Sequence, residues 1–251
     1  MSDPLLRLED VGVSFGALRA VDGISLGVGA GERRAIIGPN GAGKTTLFNA
    51  IAGEVPISGG TVSFAGRDVT HLRTHRRAAL GMGRTYQITN LFAGLTVEEN
   101  LRLAVRSLNW RKFSLLGSDT PKGAEARRVE EALTTGGLRV RRGDLTRTLS
   151  YGEQRQLEFA LALSSKPTLL LLDEPAAGLS AAERLAMAAT IGALPRTLTL
   201  LLIEHDIDLA LSLVDHVTCM HNGRVLVEGT PDEIRANERV QEVYLGKPND
   251  A

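Results

Sequence analysis

The sequence predicts an α/β protein with a parallel-sheet core, an antiparallel β region near the N-terminus and a helical segment inserted in between. Three observations carry this. Apolar and polar residues alternate in LRLEDVGVSF, ISLGV and TVSFAG, with Gly-rich turns between, the pattern of half-exposed antiparallel strands. The runs TLLLLDEP and LTLLLIEHD are too apolar for half-exposed strands, so both faces must be covered, as in a parallel α/β sheet. Between these two regions, from Leu91 to Leu163, the patterns are mostly helical. At 251 residues the chain suits one large domain, 1–251, with a subdomain inserted over about 88–165.

Composition narrows the class. Lys plus Arg and Asp plus Glu are 29 each, so the formal net charge is zero, which argues against a general polyanion binder and against nucleic acid as a partner. Hydrophobic residues make up 43% of the chain, ordinary for a globular protein and too many for a disordered one. Apolar runs such as Leu169–Leu172 fall far short of the roughly 20 residues a bilayer span needs. The opening MSDPLLRLED has no basic region before an apolar stretch, so no signal peptide is expected. Cys219 is the single cysteine, which rules out an internal disulfide and fits a reducing cytosol.

Taken along the chain, the first chemistry lies in RRAIIGPNGAGKTTLFNAIAG, a short buried strand, a Gly-rich loop and a helix starting near Lys44. Gly38-Pro39-Asn40-Gly41-Ala42-Gly43-Lys44-Thr45 matches G-x-x-x-x-G-K-[ST] in full, in the strand-loop-helix context the motif requires. The glycines let the backbone curl so that N–H groups face inward as an anion nest. The helix N-terminus adds partial positive charge there. Lys44 would reach the β- and γ-phosphates, Thr45 would offer its hydroxyl to Mg²⁺, and Thr46 follows in the same phosphate-contacting set. His71 and His75, four apart, have no third ligand beside them. With Arg73, Arg76 and Arg77 they read as a solvated basic face.

In the middle segment, Thr96 with Glu99 forms a capping box opening the helix of TVEENLRLAVRSL. Asn109–Gly123 reads as a loop or broken helix; its Trp110 and Phe113 fit either subdomain core or a partner face. Arg139, Arg141, Arg142 and Arg147 form a second basic cluster, solvated or turned to a partner. Leu149-Ser150-Tyr151-Gly152-Glu153-Gln154 opens the next helix, with Ser150 and Glu153 spaced as a capping box. Asp173 and Glu174 then emerge at the carboxyl end of an apolar strand, where open α/β sheets bind ligands. Asp173 suits Mg²⁺ through water, and Glu174 suits a general base that orients an attacking water. HVTCMHNGRVLVEG reads as a hairpin turning at Asn222-Gly223, with Cys219 in its core. The phosphate loop and the acidic pair together imply nucleotide hydrolysis.

The stretch from Leu149 to Gln154 resembles the signature motif of ATP-binding-cassette (ABC) ATPases, Leu-Ser-Gly-Gly-Gln in its common form, from which Tyr151 and Glu153 depart. The resemblance implies a RecA-like core of the P-loop NTPase type and a head-to-tail dimer. In that dimer Ser150 and Gly152 of one subunit close over the phosphate loop of another, which is either a second copy or a different ATP-binding subunit. It also assigns Gln87 as a loop glutamine touching Mg²⁺, His205 as the switch histidine holding Glu174's water, and Ala176–Ser180 as the D-loop, where Ser180 replaces the usual Asp. Phe15 matches the aromatic that stacks on adenine, though a Phe there equally suits sheet core. The stretches GRTYQITNLFAGLTVEENL, LLDEPAAGLS, LLIEHDIDLALSLVDHVTCMHNGRVLVEGTPDEI and VYLG are similar to ATP-binding subunits of branched-chain amino acid importers.

That resemblance implies an ATP hydrolase with ATP and Mg²⁺ as ligands, peripheral on the inner face of the cell membrane. It would drive uptake through separate transmembrane permeases and work indirectly with a solute-binding protein. The alternatives are the ATPase of a lipopolysaccharide-type exporter, or a soluble ABC ATPase with no transport role. In ITNLFAGL, the residues Ile88, Leu91, Phe92 and Leu95 suggest an exposed apolar patch that receives a permease helix, or else simple packing of Leu91 and Leu95 inside the helical subdomain.

Overall fold

The computed structural model describes residues 3–85, 91–107 and 123–245. Strands β1 (Leu6–Phe15), β2 (Leu18–Val28), β4 (Gly59–Phe64) and β5 (Arg67–Asp68) form an antiparallel sheet in the order β2-β1-β4-β5. A second sheet has the order β10-β9-β3-β8-β7-β6, from β3 (Arg33–Ile37), β6 (Met82–Arg84), β7 (Leu169–Asp173), β8 (Thr199–Ile203), β9 (His216–His221) and β10 (Arg224–Gly229). Its pairs are parallel except β9 with β10. That exception is the expected hairpin. Asn222 and Gly223 both have positive φ, 50° and 76°, as a two-residue turn matched to strand twist requires.

Helices cover both faces of the parallel sheet, and the residue alternation in β7 shows how. Leu169 and Leu171 pack with α1 (Lys44–Ala52) and the antiparallel sheet, in a core with Leu47, Phe48, Ile51, Leu6 and Phe64. Leu170 and Leu172 face the other way, against Phe159 of α5 (Tyr151–Ser164) and Met187 and Ile191 of α6 (Ala181–Gly192). Side chains on a strand point alternately to the two faces, so a strand covered on both sides must be apolar throughout. A third core joins α3 (Val97–Ser107), α4 (Ala124–Thr135) and α5 through Val97, Leu101, Val129, Leu133 and Leu157. A fourth lies where α7 (Ile207–Leu213), α8 (Pro231–Arg235) and α9 (Glu238–Leu245) meet β3 and β9; it holds Ala35, Ile37, Cys219, Ile234 and Val240. Among the described residues no helix is long and apolar enough to cross a membrane.

The expected solvated face at 71–77 needs one correction. His71, Arg73, His75 and Arg76 are exposed, but Arg77, in α2 (Thr74–Ala79), is buried. Its guanidinium donates to the carbonyls of Ala50 and Ile51 at 2.8 and 2.6 Å, and to those of Leu72 and Thr70 at 2.9 and 3.0 Å. Helix α1 ends there: the Ala50 carbonyl also accepts the Gly53 N–H at 3.2 Å, and the planar five-donor cation adds its bonds to the carbonyls of the last turn. Composition shows an arginine run; only the fold shows which member turns inward. The cluster at 139–147 is exposed and largely paired: Arg139 with Glu130, Arg141 with Asp144 and Glu153, and Arg142 with Glu98 and Glu130.

Parallel strands all end at one edge. Gly38 follows β3, Thr85 follows β6, Glu174 follows β7, and Glu204 and His205 follow β8. Residues more than 150 positions apart in sequence therefore converge on one crevice.

Candidate functional site

The loop between β3 and α1 is folded around its own lysine. Lys44 Nζ donates to the carbonyl of Gly38 at 2.6 Å and to that of Pro39 at 3.0 Å. Ala42 N–H closes a turn onto Pro39 O at 3.2 Å. Two of the glycines are obligatory. Gly38 (φ 149°) and Gly43 (φ 97°) have backbone conformations other residues rarely adopt, and a Cβ at either would run into the carbonyl of Met220 or Ala20. The hairpin turn braces the loop from behind, with Gly223 N–H donating to Ala42 O at 3.0 Å. Helix α1 has no side-chain cap at Gly43 and no acidic residue in its first turn, whereas α5, α6 and α8 each carry a capping box. The first-turn N–H groups of α1 are thus left without a side-chain cap, on the side where the loop curls. Thr45 in that turn is exposed.

Asp173 is 1% exposed and pairs with Arg84 of β6 at 3.0 Å. Burial raises its pKa, and Arg84 opposes that shift. Its Oδ1 is buried and takes no hydrogen bond. Glu174 has φ 49°, a left-handed backbone in a non-glycine residue. Its N–H donates to Ile203 O at 2.9 Å, and its Oε1 lies 2.7 Å from His205 Nε2. Burial pulls the Lys44 pKa down, and the Glu174 and Asp173 carboxylates push it back up. One cation, two carboxylates and an imidazole thus share the mouth of the phosphate loop.

Phe15 ends β1 opposite Leu18, at the tip of a hairpin whose Ala20 carbonyl abuts Gly43. It is 53% exposed, so the sheet-core alternative is excluded. Ser150 Oγ accepts Glu153 N–H at 3.2 Å and Glu153 Oε2 accepts Ser150 N–H at 2.8 Å, the capping box expected. The extra charge of Glu153 has a physical account: Arg141 binds it at 2.8 Å. Tyr151, the other departure, lies over Gly178 and donates to Ala177 O at 3.3 Å, which ties the start of α5 to the segment that follows β7. Ser150 bonds Glu153 of its own helix and Gly152 lies against Glu183 of α6, which Ser180 caps with that same Glu183. Gln87 lies outside the described residues, as do Trp110 and Phe113.

Three of the residues that build this crevice were not singled out in the sequence. Arg84 holds Asp173, Asn49 (2.7 Å) and Glu54 (3.1 Å) together. Glu204 is buried and accepts the N–H groups of Ala176 (3.0 Å) and His205 (3.2 Å), tying the segment after β7 to the one after β8; burial raises its pKa. Tyr244 accepts the N–H of Gly38. An acid beside His205 at the end of an apolar strand was a usable signal. A single arginine in a three-residue strand and a tyrosine near the end of the chain were not.

Comparison with known proteins agrees with this geometry. A model of the ABC transporter family matches residues 21–177, more than half of the chain. The chain belongs to the ABC transporter family. A second model, described as branched-chain amino acid ATP-binding cassette transporter, matches residues 224–248. Among relatives of this ABC protein is the high-affinity branched-chain amino acid transport ATP-binding protein BraF of Pseudomonas aeruginosa. It is 39% identical, over 98% of this chain and 100% of its own. The corresponding LivG of Escherichia coli is 37% identical over 98% and 100%. A nucleotide-free ATP-binding cassette of an ABC transporter superposes with a TM-score of 0.80 at 30% identity, covering 97% of this chain and 99% of its own. Another cassette, in its ADP conformation, gives 0.83 at 29%, covering 98% and 100%. The ABC cassette fold read from the sequence is therefore the fold of the protein.

Proposed function

We propose that this chain binds ATP with Mg²⁺, hydrolyses it, and so powers uptake of branched-chain or related amino acids through separate membrane permeases. The observation that carries the chemistry is the meeting of Lys44, Asp173 and the Glu174–His205 pair at the mouth of the phosphate loop. The cargo class rests on the two relatives named for branched-chain amino acid transport and on the match over 224–248. The exporter and non-transport alternatives gain nothing from these relatives.

The residues fit Mg²⁺. Thr45 and Asp173 offer hard oxygen donors, and Asp173 Oδ1 has no competing hydrogen bond. Among the described residues no group of three or more His, Cys, Asp or Glu could hold a metal. Phosphate oxygens and water would have to complete the shell, which is how Mg²⁺ is ordinarily held beside nucleotides. The ion, when bound, neutralises charge on the phosphates. Lys44 turns from the Gly38 and Pro39 carbonyls to the phosphates, and exposed Phe15 supplies a stacking face for the base. Glu174 orients the attacking water and takes its proton, held in place by His205. Gly38 to Thr46 would line the phosphates, and Gln87 would be a further residue to hold the metal. Ser150 and Gly152 serve the loop of a second ATP-binding subunit, head to tail. The inserted subdomain of about 88–165 carries them.

The test is labelled-ATP binding and turnover by the purified chain and by Lys44→Ala. Loss of turnover with strongly weakened binding is expected, since charge-assisted contacts to phosphate are worth about 1.5–3 kcal/mol each. Near-normal turnover in the variant would overturn the site assignment.

A further inference from the structure

The C-terminal helix reaches the phosphate loop, and nothing in the chemistry above uses that contact. Tyr244 of α9, half-buried, packs against the core that joins α8 and α9 to Ala35 and Ile37 of β3 and Cys219 of β9. Its hydroxyl accepts the N–H of Gly38, the first residue of the loop. The carbonyl of that same residue accepts Lys44 at 2.6 Å. Gly38 is therefore gripped from both sides, by Tyr244 at its N–H and Lys44 at its C=O, and the Met220 carbonyl occupies the space a Cβ would need. Burial raises the Tyr244 pKa, so the hydroxyl stays neutral at any working pH.

We propose that Tyr244 is a positioning residue for nucleotide binding: it holds Gly38, the first residue of the phosphate loop, in place when Lys44 leaves that residue for the phosphates. This rests on the reading of Gly38–Thr45 as the ATP site. The argument is a difference between two arrangements. With Lys44 on the Gly38 carbonyl, Gly38 has two side-chain anchors, one on each of its flanking peptide groups, and loss of one is tolerated. With Lys44 on phosphate, Tyr244 is the remaining side-chain anchor of Gly38 among the described residues. Losing the hydroxyl leaves the Gly38 N–H unpartnered in both arrangements, but only the nucleotide-bound one then has no side chain holding Gly38 in place, so the extra cost of fixing the loop falls there. Tyr244 meets Gly38 and the core beneath α8 and α9, whereas Glu174 pairs with His205, so the chemical step is spared.

The experiment compares wild type, Tyr244→Phe and Tyr244→Leu in the full-length protein. It measures the Kd for ATP and ADP with a fluorescent nucleotide, KM and kcat for hydrolysis, and the melting temperature without nucleotide. Tyr244→Phe keeps the ring and its packing. It is expected to raise both Kd values and KM roughly tenfold, leave kcat within about twofold, and leave the melting temperature nearly unchanged. Tyr244→Leu adds loss of packing and should lower the melting temperature as well, with the same increase in Kd. Unchanged affinity in Tyr244→Phe, or a drop in kcat at unchanged KM, overturns the proposal. An increase in Kd only in Tyr244→Leu, in step with its melting temperature, also overturns it and makes Tyr244 a packing residue. If the wild type binds neither nucleotide, the ATP-site reading itself has failed, an outcome distinct from these.

Discussion

Glu174 occupies a backbone conformation that costs a non-glycine residue about 1–3 kcal/mol. Two contacts hold it there: its N–H on Ile203 O and its carboxylate on His205. Glu174→Gln keeps the size and the hydrogen-bonding reach but removes the base. Hydrolysis should slow by about 10²–10⁴, the usual scale of general-base catalysis, with ATP binding retained. Single-turnover hydrolysis and equilibrium binding on the same preparation check this. Wild-type turnover in the variant would mean that another group activates the water. Asp173 and Glu174 are adjacent in sequence yet differ in surroundings: Asp173 is sealed against Arg84, while Glu174 faces the exposed imidazole of His205.

Helix ends are where this chain places its polar precision. Helices α5, α6 and α8 open with capping boxes, and α1 opens with a bare glycine, so the one uncapped N-terminus among these four is the one that faces the phosphate loop. At the start of α5 the Glu153 carboxyl is held below the usual carboxylate range, first by the Ser150 N–H and then by Arg141. Its folded pKa is thus below its unfolded value. The stabilisation is present above the unfolded pKa, about 4.3, and is lost as pH falls through the folded value. Glu153→Gln retains the cap geometry and loses only the charge, so it should cost about 0.5–1 kcal/mol at pH 7. Thermal melts of both proteins from pH 7 to pH 3 should converge at the acid end. A gap that stays constant with pH would show that the charge contributes nothing to the cap.

On the scale of the molecule, the three-helix unit of α3, α4 and α5 has its own core, and the start of α5 is fastened to the segment after β7 by Tyr151. Of the apolar patch expected at 88–95, Ile88 lies outside the described residues, Leu91 packs on the helical core and Leu95 is half-buried. Among the described residues of that patch Phe92 stands out, 60% exposed. Its backbone is pinned on both sides by Asn100, which accepts its N–H at 2.9 Å and donates to its C=O at 3.2 Å. A rigidly held, exposed aromatic suits an anchor for a permease segment. Phe92→Asp should leave the isolated subunit's hydrolysis and melting temperature near wild type, yet sharply cut transport and loosen assembly with the permeases. Parallel loss of hydrolysis, transport and thermal stability would place Phe92 in the fold's own packing instead.

The sequence by itself determined the strand alternation, the phosphate loop, the acidic pair after an apolar strand, the capping boxes of α3 and α5 and the hairpin at Asn222-Gly223. Each is a local pattern whose physics acts within a few residues, so no knowledge of distant neighbours was needed. The tertiary structure decided what those patterns meet. It turned Arg77 inward onto the end of α1, set Arg84 against Asp173, joined Glu204 to the segment after β7 and brought Tyr244 to Gly38. It also explained Tyr151 and Glu153, which look anomalous in a motif and ordinary beside Gly178 and Arg141. Such contacts span tens to hundreds of residues along the chain. A buried cation or hydroxyl is legible only through the partner that offsets its desolvation, and that partner is chosen by the fold.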